Sequence, residues 1–325
     1  MEQEYKYMVA TRCFTFNHAP YIEDALRGFA MQETTFPVVT IIVDDASTDG
    51  EPEVIRKYLA EHFQSPYRVE ETEYANIICA KHKTNANCDF VVFLLKYNHY
   101  SIKKPKLPYL SEWNDKAKYH ALCEGDDYWI DPLKLQKQVD FMEDNLGYTL
   151  CCHNAYKYYV QDDCRAPFCK SKKERDLSPY DAVHKWIIAT ASMLYRREME
   201  TRPDWEERIY SGDYSLILRC LYNGKIHYLK EIMSVYRFNT KGGSMTAMVQ
   251  GKPYFVFEQH IKLLNSFLNA PDQKYGRVIK MRIRYLKNEI DFNRTKNPSN
   301  PKAALEHFYY GYKKFCYNIL FPVFL

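Results

Sequence analysis

The chain contains a short acidic segment, Glu124-Gly125-Asp126-Asp127, between an apolar run and two aromatic residues. Adjacent carboxylates repel each other unless a cation or a hydrogen-bonding ligand holds them, because each charge raises the pKa of its neighbour. Hard oxygen ligands suit Mg²⁺ and Mn²⁺, which proteins often bind together with substrate phosphates. Metal-assisted phosphate binding is therefore one interpretation of Asp126 and Asp127. A solvated turn that caps the helix predicted near Pro132 is the other.

Three further polar segments have residue types suited to binding or catalysis. Thr15-Phe16-Asn17 and the run Asp44-Asp45-Ala46-Ser47-Thr48-Asp49 each follow an apolar stretch, and Ser211-Gly212-Asp213 precedes a predicted helix. Carboxylates can accept hydrogen bonds or protons, and an aromatic ring can stack on a flat ligand.

The elements that would position these residues alternate between strand and helix. We predict strands over residues 7–14, 38–43 and 90–95, and helices that begin near residues 21, 51 and 133. This alternation is typical of an α/β fold with an open, doubly wound, mostly parallel sheet flanked by helices. Ligands bind such sheets at the carboxyl ends of the strands, where three of the polar segments fall.

The rest of the chain is predicted to complete this domain and to add a helical extension. Residues 150–159, 187–195 and 226–238 are predicted strands, and the charged segment 162–181 is predicted to be a mobile surface segment. We expect two or three helices after residue 254. The predicted division is a domain over residues 1–250 and a C-terminal helical extension over residues 251–325.

The composition excludes several classes of protein. The net charge of +4 over 325 residues is too small to indicate nucleic-acid binding. The ten cysteines show no C-x-x-C pair, which argues against a zinc ribbon and a disulfide scaffold. The sequence shows neither a signal peptide nor a membrane-spanning run. We therefore expect a cytoplasmic protein, with the apolar tail at residues 315–325 either packed on the core or peripheral to the inner face of the cell membrane.

The order of the motifs from Thr15-Phe16-Asn17 through Asp44-Asp45 to Asp126-Asp127 resembles family 2 glycosyltransferases of GT-A fold, particularly bacterial enzymes that build surface polysaccharides. The resemblance covers roughly residues 7–245. It implies an inverting, metal-dependent hexosyltransferase. Such an enzyme moves a sugar from a nucleoside-diphosphate donor, here a UDP-sugar, to a hydroxyl of a glycan or lipid-linked saccharide acceptor.

The resemblance also implies roles for the first two polar segments. Thr15, Phe16 and Asn17 would cradle the nucleobase, with Phe16 packing against it. Asp44 would accept a hydrogen bond from the base edge, and Asp45 would help to bind the nucleotide. The roles of the two aspartates could be exchanged, and Asp45 could instead shape the turn and, with Ser47, cap the next helix.

The resemblance also implies roles for the later polar segments. Asp127 would contact Mn²⁺ or Mg²⁺ directly, and Asp126 would share the metal or contact the ribose. Asp213 would be the general base, although it also suits a helix N-cap. Arg237 would pair with the leaving phosphates, or else form a surface salt bridge. Gly242-Gly243-Ser244 would allow a loop to close over the diphosphate.

Two other interpretations stay open at this point. A sugar-nucleotide nucleotidyltransferase also uses a doubly wound sheet and metal-bound phosphates, although the first loop lacks its Gly-rich, basic character. A catalytically inactive nucleotide-binding module of the same fold is the non-enzymatic alternative. The sequence indicates no third metal ligand, and His153 and His227 are interpreted as structural.

Overall fold

The computed structural model describes residues 5–238 and 254–294. The strands are β1 (Tyr7–Thr15), β2 (Val38–Asp44), β3 (Arg68–Glu71), β4 (Ala75–Lys81), β5 (Cys88–Leu95), β6 (Ala117–Leu122), β7 (Tyr128–Trp129), β8 (Tyr148–Tyr159), β9 (Cys164–Pro167), β10 (Arg175–Asp176), β11 (Leu194–Arg196) and β12 (Lys225–Phe238). The α-helices are α1 (Ile22–Ala30), α2 (Glu51–His62), α3 (Ser111–Asn114), α4 (Lys134–Asp144), α5 (Pro179–His184), α6 (Gly212–Asn223), α7 (Phe255–Leu268) and α8 (Gly276–Arg294).

The strands form one sheet in the order β10-β12-β8-β11-β6-β1-β2-β5-β4-β3, with β7 paired to β12 and β9 to β8. The central strands β6, β1, β2 and β5 are parallel. The flanking pairs are antiparallel, except that β8 and β12 run parallel. The predicted α/β class with a doubly wound, parallel core is confirmed, and its parallel part lies at the centre of a mixed sheet.

The burial of the central strands explains why they could be predicted from the sequence. Every residue of β2 and of β5 is buried, as expected for apolar parallel strands covered by helices on both faces. Helix α1 buries Ile22, Leu26 and Phe29 in the same core. This packing fixes the carboxyl ends of the central strands, where the polar segments begin.

The described residues divide into two compact units. The first contains the sheet and includes residues 5–176, 187–200 and 223–238; the second includes residues 177–186, 201–222 and 254–294. Within the second unit, helix α8 packs against α5 and α7. The second unit thus draws on segments from both sides of residue 250, and that predicted boundary itself lies outside the described residues.

Several peripheral elements differ from the sequence expectations. The predicted strand over residues 187–195 is mostly wrong, because only Leu194–Arg196 pairs in the sheet, after a 3-10 turn at Thr190–Ser192. The predicted mobile segment at 162–181 contains β9, β10 and the start of α5, which a capping box at Ser178 stabilises. Short edge elements of this kind lack a long apolar run, so their sequences resemble loops.

The described helices include none that is long and apolar enough to cross a membrane.

Candidate active site

Three polar segments meet at the carboxyl ends of β2, β1 and β6. Thr15, the last residue of β1, lies opposite Asp44, the last residue of β2. On the other side of β1, the Cys123 N–H donates to the Arg12 carbonyl at 3.1 Å. Parallel pairing therefore brings together segments that are far apart in sequence.

Gly125 allows the acidic segment to approach β1 closely. Its N–H lies 3.3 Å from the Phe14 carbonyl, and a Cβ atom added at Gly125 would lie 2.6 Å from the Thr15 Cβ. A side chain at this position would force the two segments apart. The glycine thus sets the spacing between the Thr15 loop and the two aspartates that follow it.

Glu51 organises the loops around Thr15, and the sequence analysis assigned it no role. Its fully buried carboxylate accepts hydrogen bonds from the Thr15 hydroxyl, from the His18 N–H at 2.8 Å and from the Ser47 hydroxyl at 2.9 Å. The sequence contains only a weak signal for this role of Glu51, because an acidic residue in the first turn of a helix is common without any tertiary role.

Asp44 has an unused acceptor atom in a buried position. One oxygen, Oδ2, accepts from the Ser47 N–H at 3.3 Å, and Oδ1 has no hydrogen-bond partner among the described residues. Burial raises the pKa of Asp44 to about 6. A buried acceptor without a partner is costly, so a ligand that donates a hydrogen bond to Oδ1 would be favoured.

Asp45 is occupied by protein contacts. Its carboxylate accepts from the backbone N–H groups of His99 at 2.8 Å and Tyr100 at 3.1 Å, and it pairs with Lys106 at 2.7 Å. It thereby fastens the loop that follows β5. The expectation that Asp45 and Ser47 cap the next helix is wrong, because Gly50 precedes α2 and no side chain caps it. A contact of Asp45 with nucleotide stays a prediction.

The loop after β1 presents an aromatic ring. Phe16 is 37% exposed, and Asn17 adopts a left-handed backbone conformation with φ of 56°. The Asn17 side chain accepts from the Thr48 N–H at 2.9 Å, and its own N–H donates to the Ser47 hydroxyl at 2.8 Å. Asn17 therefore joins the two loops, which leaves Phe16 accessible to a ligand.

Asp127 is almost completely buried, whereas Asp126 is partly exposed. Asp127 Oδ1 accepts from the Arg237 N–H at 2.8 Å, and Oδ2 has no partner among the described residues. Burial, followed by the charges of Asp126 and Glu124, holds the pKa of Asp127 well above its usual range. The Asp126 carboxylate lies 3.8 Å from His18 Nε2. A cation bound here would favour the ionised form of both carboxyl groups.

The acidic pair alone does not make a complete metal site. No group of three or more His, Cys, Asp or Glu side chains with metal-binding geometry occurs in residues 5–238 and 254–294. Mg²⁺ and Mn²⁺ fit this donor set, because Mg²⁺ in particular commonly binds one or two carboxylates together with water and substrate phosphates. The two histidines that the sequence analysis interpreted as structural contact protein groups. His227 pairs with Asp176 at 2.9 Å, and the buried His153 Nδ1 contacts the Asn154 carbonyl at 2.7 Å.

Arg237 supports the acidic segment from β12. Its backbone N–H contacts Asp127. Its guanidinium donates to the Asp126 carbonyl at 2.8 Å, pairs with Asp24 and lies over the Tyr128 ring. The side chain is buried, so it is not the surface salt bridge considered from sequence. Its predicted pairing with phosphates stays a prediction, and Gly242-Gly243-Ser244 lies outside the described residues.

Asp213 belongs to the second unit, unlike the other candidate residues. Helix α6 begins one residue earlier, at Gly212, and Asp213 Oδ1 accepts from the Tyr214 N–H at 2.8 Å. Burial raises the pKa of Asp213 above its ordinary value, while hydrogen bonds from backbone N–H groups lower it. A raised pKa suits a proton acceptor that works near neutral pH.

Lys134 is a fully buried cation behind the Tyr128-Trp129 strand. Its Nζ donates to Gln138 at 2.9 Å and lies 3.9 Å from the centre of the Trp129 ring. Burial lowers the pKa of Lys134 from 10.5 to about 7, and no described carboxylate pairs with it. The ammonium form therefore destabilises the folded state.

We expect Lys134→Met to stabilise the protein by about 2 kcal/mol at pH 7. At pH values below the folded pKa, burial of the charged amine costs about 5 kcal/mol. Loss of the contact with Gln138 offsets part of the stability gained when this cost is removed. The penalty disappears as pH rises from about 7 to 10.5, so wild-type stability should rise over that window and the variant should lack this rise. Urea unfolding at several pH values measures both effects.

Lys137→Met on the same helix is the matched control, because Lys137 is more exposed and pairs with Asp131. We expect the control to be no more stable than wild type. An equal pH dependence in wild type and Lys134→Met would contradict the burial argument.

No protein-family model matches the sequence. Uncharacterized proteins of Mycobacterium tuberculosis and Mycobacterium bovis are each 33% identical to it over 228 residues. The matched region is 70% of this chain, and the chain spans 58% of the length of these curated relatives.

Solved structures of other proteins share the fold. TarS residues 1–349 of S. aureus, in complex with UDP, match with a TM-score of 0.54 and 14% identity, over 86% of this chain and 70% of that one. The mannosyltransferase PcManGT from Pyrobaculum calidifontis, in complex with GDP-Man and Mn²⁺, matches with a TM-score of 0.51 and 14% identity, over 93% and 78%. The chain therefore has the predicted GT-A-like fold.

Proposed function

We propose that this chain is an inverting, metal-dependent glycosyltransferase that uses a UDP-sugar donor. The acceptor would be a hydroxyl of a glycan or lipid-linked saccharide in surface polysaccharide synthesis, and the reaction would take place in the cytoplasm near the inner face of the membrane. The main supporting observation is a pair of buried carboxylate oxygens, Asp44 Oδ1 and Asp127 Oδ2, that have no partner among the described residues and lie at one edge of the sheet.

In this proposal, the first two loops bind the nucleobase. Asp44 Oδ1 accepts the N–H of a uracil ring, which removes the cost of its missing partner. The accessible ring of Phe16 packs against the base. A base without an N–H donor at that position would leave Asp44 unsatisfied, so the proposed site discriminates between nucleotides.

The acidic segment would hold the diphosphate through Mn²⁺ or Mg²⁺. Bound there, the ion would neutralise charge that develops on the leaving diphosphate. Asp127 would provide Oδ2 as a ligand while the Arg237 N–H fixes its other oxygen, and Asp126 would provide a more exposed carboxylate. The close packing at Gly125 would keep both aspartates next to the base-binding loops.

Asp213 would accept the proton from the acceptor hydroxyl as that oxygen attacks the sugar. A single displacement needs one base and inverts the anomeric centre, whereas double displacement also needs a nucleophile. The raised pKa of Asp213 supports this role, because the base must bind a proton during the reaction.

A thermal-shift screen of nucleoside diphosphates tests the binding part of the proposal. We expect UDP with Mn²⁺ to stabilise the protein more than GDP, CDP or UDP without metal. At a ligand concentration of 100 times Kd, the gain is about 2.7 kcal/mol. We expect Asp44→Asn to reduce the preference for UDP, since its amide would direct N–H groups toward the N–H of the base.

Product analysis with a panel of UDP-sugars separates the alternative functions. Release of UDP from a UDP-sugar supports transfer, whereas formation of pyrophosphate in a parallel assay with UTP and a sugar 1-phosphate would indicate a nucleotidyltransferase. If no nucleoside diphosphate shifts the melting temperature in the presence or absence of Mn²⁺, the proposal is wrong.

A further inference from the structure

The first unit contains a surface cleft of about 280 Å³ that is separate from Asp44 and Asp127. It is lined by Asn154, Pro167, Cys169, Lys170, Ser171, Lys172, Lys230 and Ile232. Strand β12 connects the cleft to the candidate active site, since Ile232 precedes Arg237 by five residues. At about 3.3 Å per residue, the two places are roughly 16 Å apart along the strand.

Three unpaired cations border this cleft. Lys170, Lys172 and Lys230 are exposed, and none of them has an ion-pair or hydrogen-bond partner within the described part of the chain. Among residues 5–238 and 254–294, no acidic side chain lines the cleft. Three like charges around one cleft repel each other, so an anion that contacts all three would be stabilised there.

A buried side chain fixes one wall of the cleft. Asn154 donates through Nδ2 to the Cys169 carbonyl at 2.9 Å and accepts at Oδ1 from the Cys169 N–H, also at 2.9 Å. Both hydrogen bonds are buried, and they hold the backbone immediately before Lys170. The Ser171 hydroxyl accepts weakly from the Lys173 N–H at 3.3 Å, so its O–H remains able to donate.

An irregularity in β12 lies beside Asn154, because Ile232 pairs with Asn154 in the sheet. The pairing of β12 with β8 shifts register between Leu229 and Ile232, and Lys230 lies within this shift. A β-bulge redirects side chains and interrupts regular pairing. Here it coincides with Lys230, which lines the cleft together with Lys170 and Lys172. Two independent local features therefore place the lysines around the same space.

We propose that this cleft binds a phosphate dianion, either as the free ion or as the phosphate monoester group of a small molecule. A phosphate monoester carries a charge of about −1.5 to −2 at pH 7 and presents three terminal oxygens, which suits three ammonium groups better than a single carboxylate would. Pro167, Cys169 and Ile232 provide apolar surface for the rest of the ligand. The phosphate would come either from free phosphate or from a phosphorylated saccharide.

Titration calorimetry with inorganic phosphate and with glucose 1-phosphate tests the proposal and separates the two sources. The measurements are made in EDTA, which removes metal-dependent binding at Asp126 and Asp127. Tighter binding of glucose 1-phosphate would identify a phosphorylated saccharide as the ligand, and equal binding would identify free phosphate. If neither probe binds with a Kd below about 10 mM, the proposal is overturned.

The triple variant Lys170→Gln, Lys172→Gln, Lys230→Gln should weaken phosphate binding about tenfold or more. The control variant Lys57→Gln, Lys116→Gln, Lys173→Gln has the same change in net charge, and none of its lysines lines the cleft. We expect the control to bind as wild type does. Equal losses of phosphate affinity in the two variants would show that binding depends only on the net charge of the protein, and would overturn the proposed site.

Lysine acylation followed by mass spectrometry locates the ligand in the unmodified protein. Phosphate should protect Lys170, Lys172 and Lys230 from acylation, and should leave Lys173 as reactive as before. Uniform protection of all four lysines would contradict binding in the cleft. The readout is independent of sugar transfer, so it does not depend on the proposed activity.

Discussion

Asp127→Asn should reduce metal-dependent sugar transfer about 1,000-fold or more while leaving the fold intact. The substitution retains an acceptor for the Arg237 N–H but removes the negative charge and replaces Oδ2, which has no partner among the described residues, with an amide nitrogen. Loss of a ligand to a metal that stabilises the leaving diphosphate costs several kcal/mol in the transition state. Initial rates of UDP release at several Mn²⁺ concentrations measure the effect.

In the absence of metal, the same substitution should not lower stability, and at neutral pH it should raise it. The raised pKa of Asp127 shows that ionisation is unfavourable in the folded state. The folded protein therefore binds more protons than the unfolded chain at intermediate pH, and wild-type stability should fall as pH rises above the ordinary range of an aspartate. The Asn variant should lack this contribution.

Asp131→Asn is the control, because Asp131 is a nearby carboxylate that pairs with Lys137 outside the proposed metal site. It should retain wild-type transfer. An Asp127→Asn variant that keeps transfer within threefold of wild type would exclude Asp127 as the metal ligand, and an unfolded variant would show that the carboxylate is structural.

Asp213→Asn should lower kcat about 100- to 10,000-fold without weakening the binding of UDP and Mn²⁺. The asparagine retains an acceptor for the Tyr214 N–H, so helix α6 should still form. Only the ability to accept a proton is lost. The thermal shift caused by UDP and Mn²⁺ measures donor binding, and steady-state rates measure the chemical step.

The pH dependence distinguishes a general base from a structural carboxylate. Protonated Asp213 cannot accept a proton, so wild-type kcat should fall as pH decreases through its pKa, which lies above the ordinary aspartate value. Asp204→Asn, at an exposed carboxylate of the same unit, should leave both the rate and the pH profile unchanged. Equal kcat in Asp213→Asn and wild type would assign the base to another residue.

The sequence alone was sufficient to predict the core of the fold. Strands β1, β2 and β5 are mostly buried and mostly apolar, and such runs followed by helices have few arrangements other than a parallel sheet. Since parallel strands share one carboxyl edge, the order of the motifs also predicted that Thr15, Asp44 and the acidic segment would be neighbours.

Only the tertiary structure determined which partners each polar side chain contacts. Asp44 and Asp45 are adjacent and chemically identical, yet Asp45 is bound by the loop after β5 while Asp44 keeps one buried oxygen without a described partner. Arg237 contacts Asp127 across 110 residues of sequence, and Glu51 joins three loop residues through buried hydrogen bonds. Local patterns determine which residues face a core, because burial repeats with the period of a helix or strand. They do not determine hydrogen-bond partners, because these depend on which distant loops the completed sheet brings into contact.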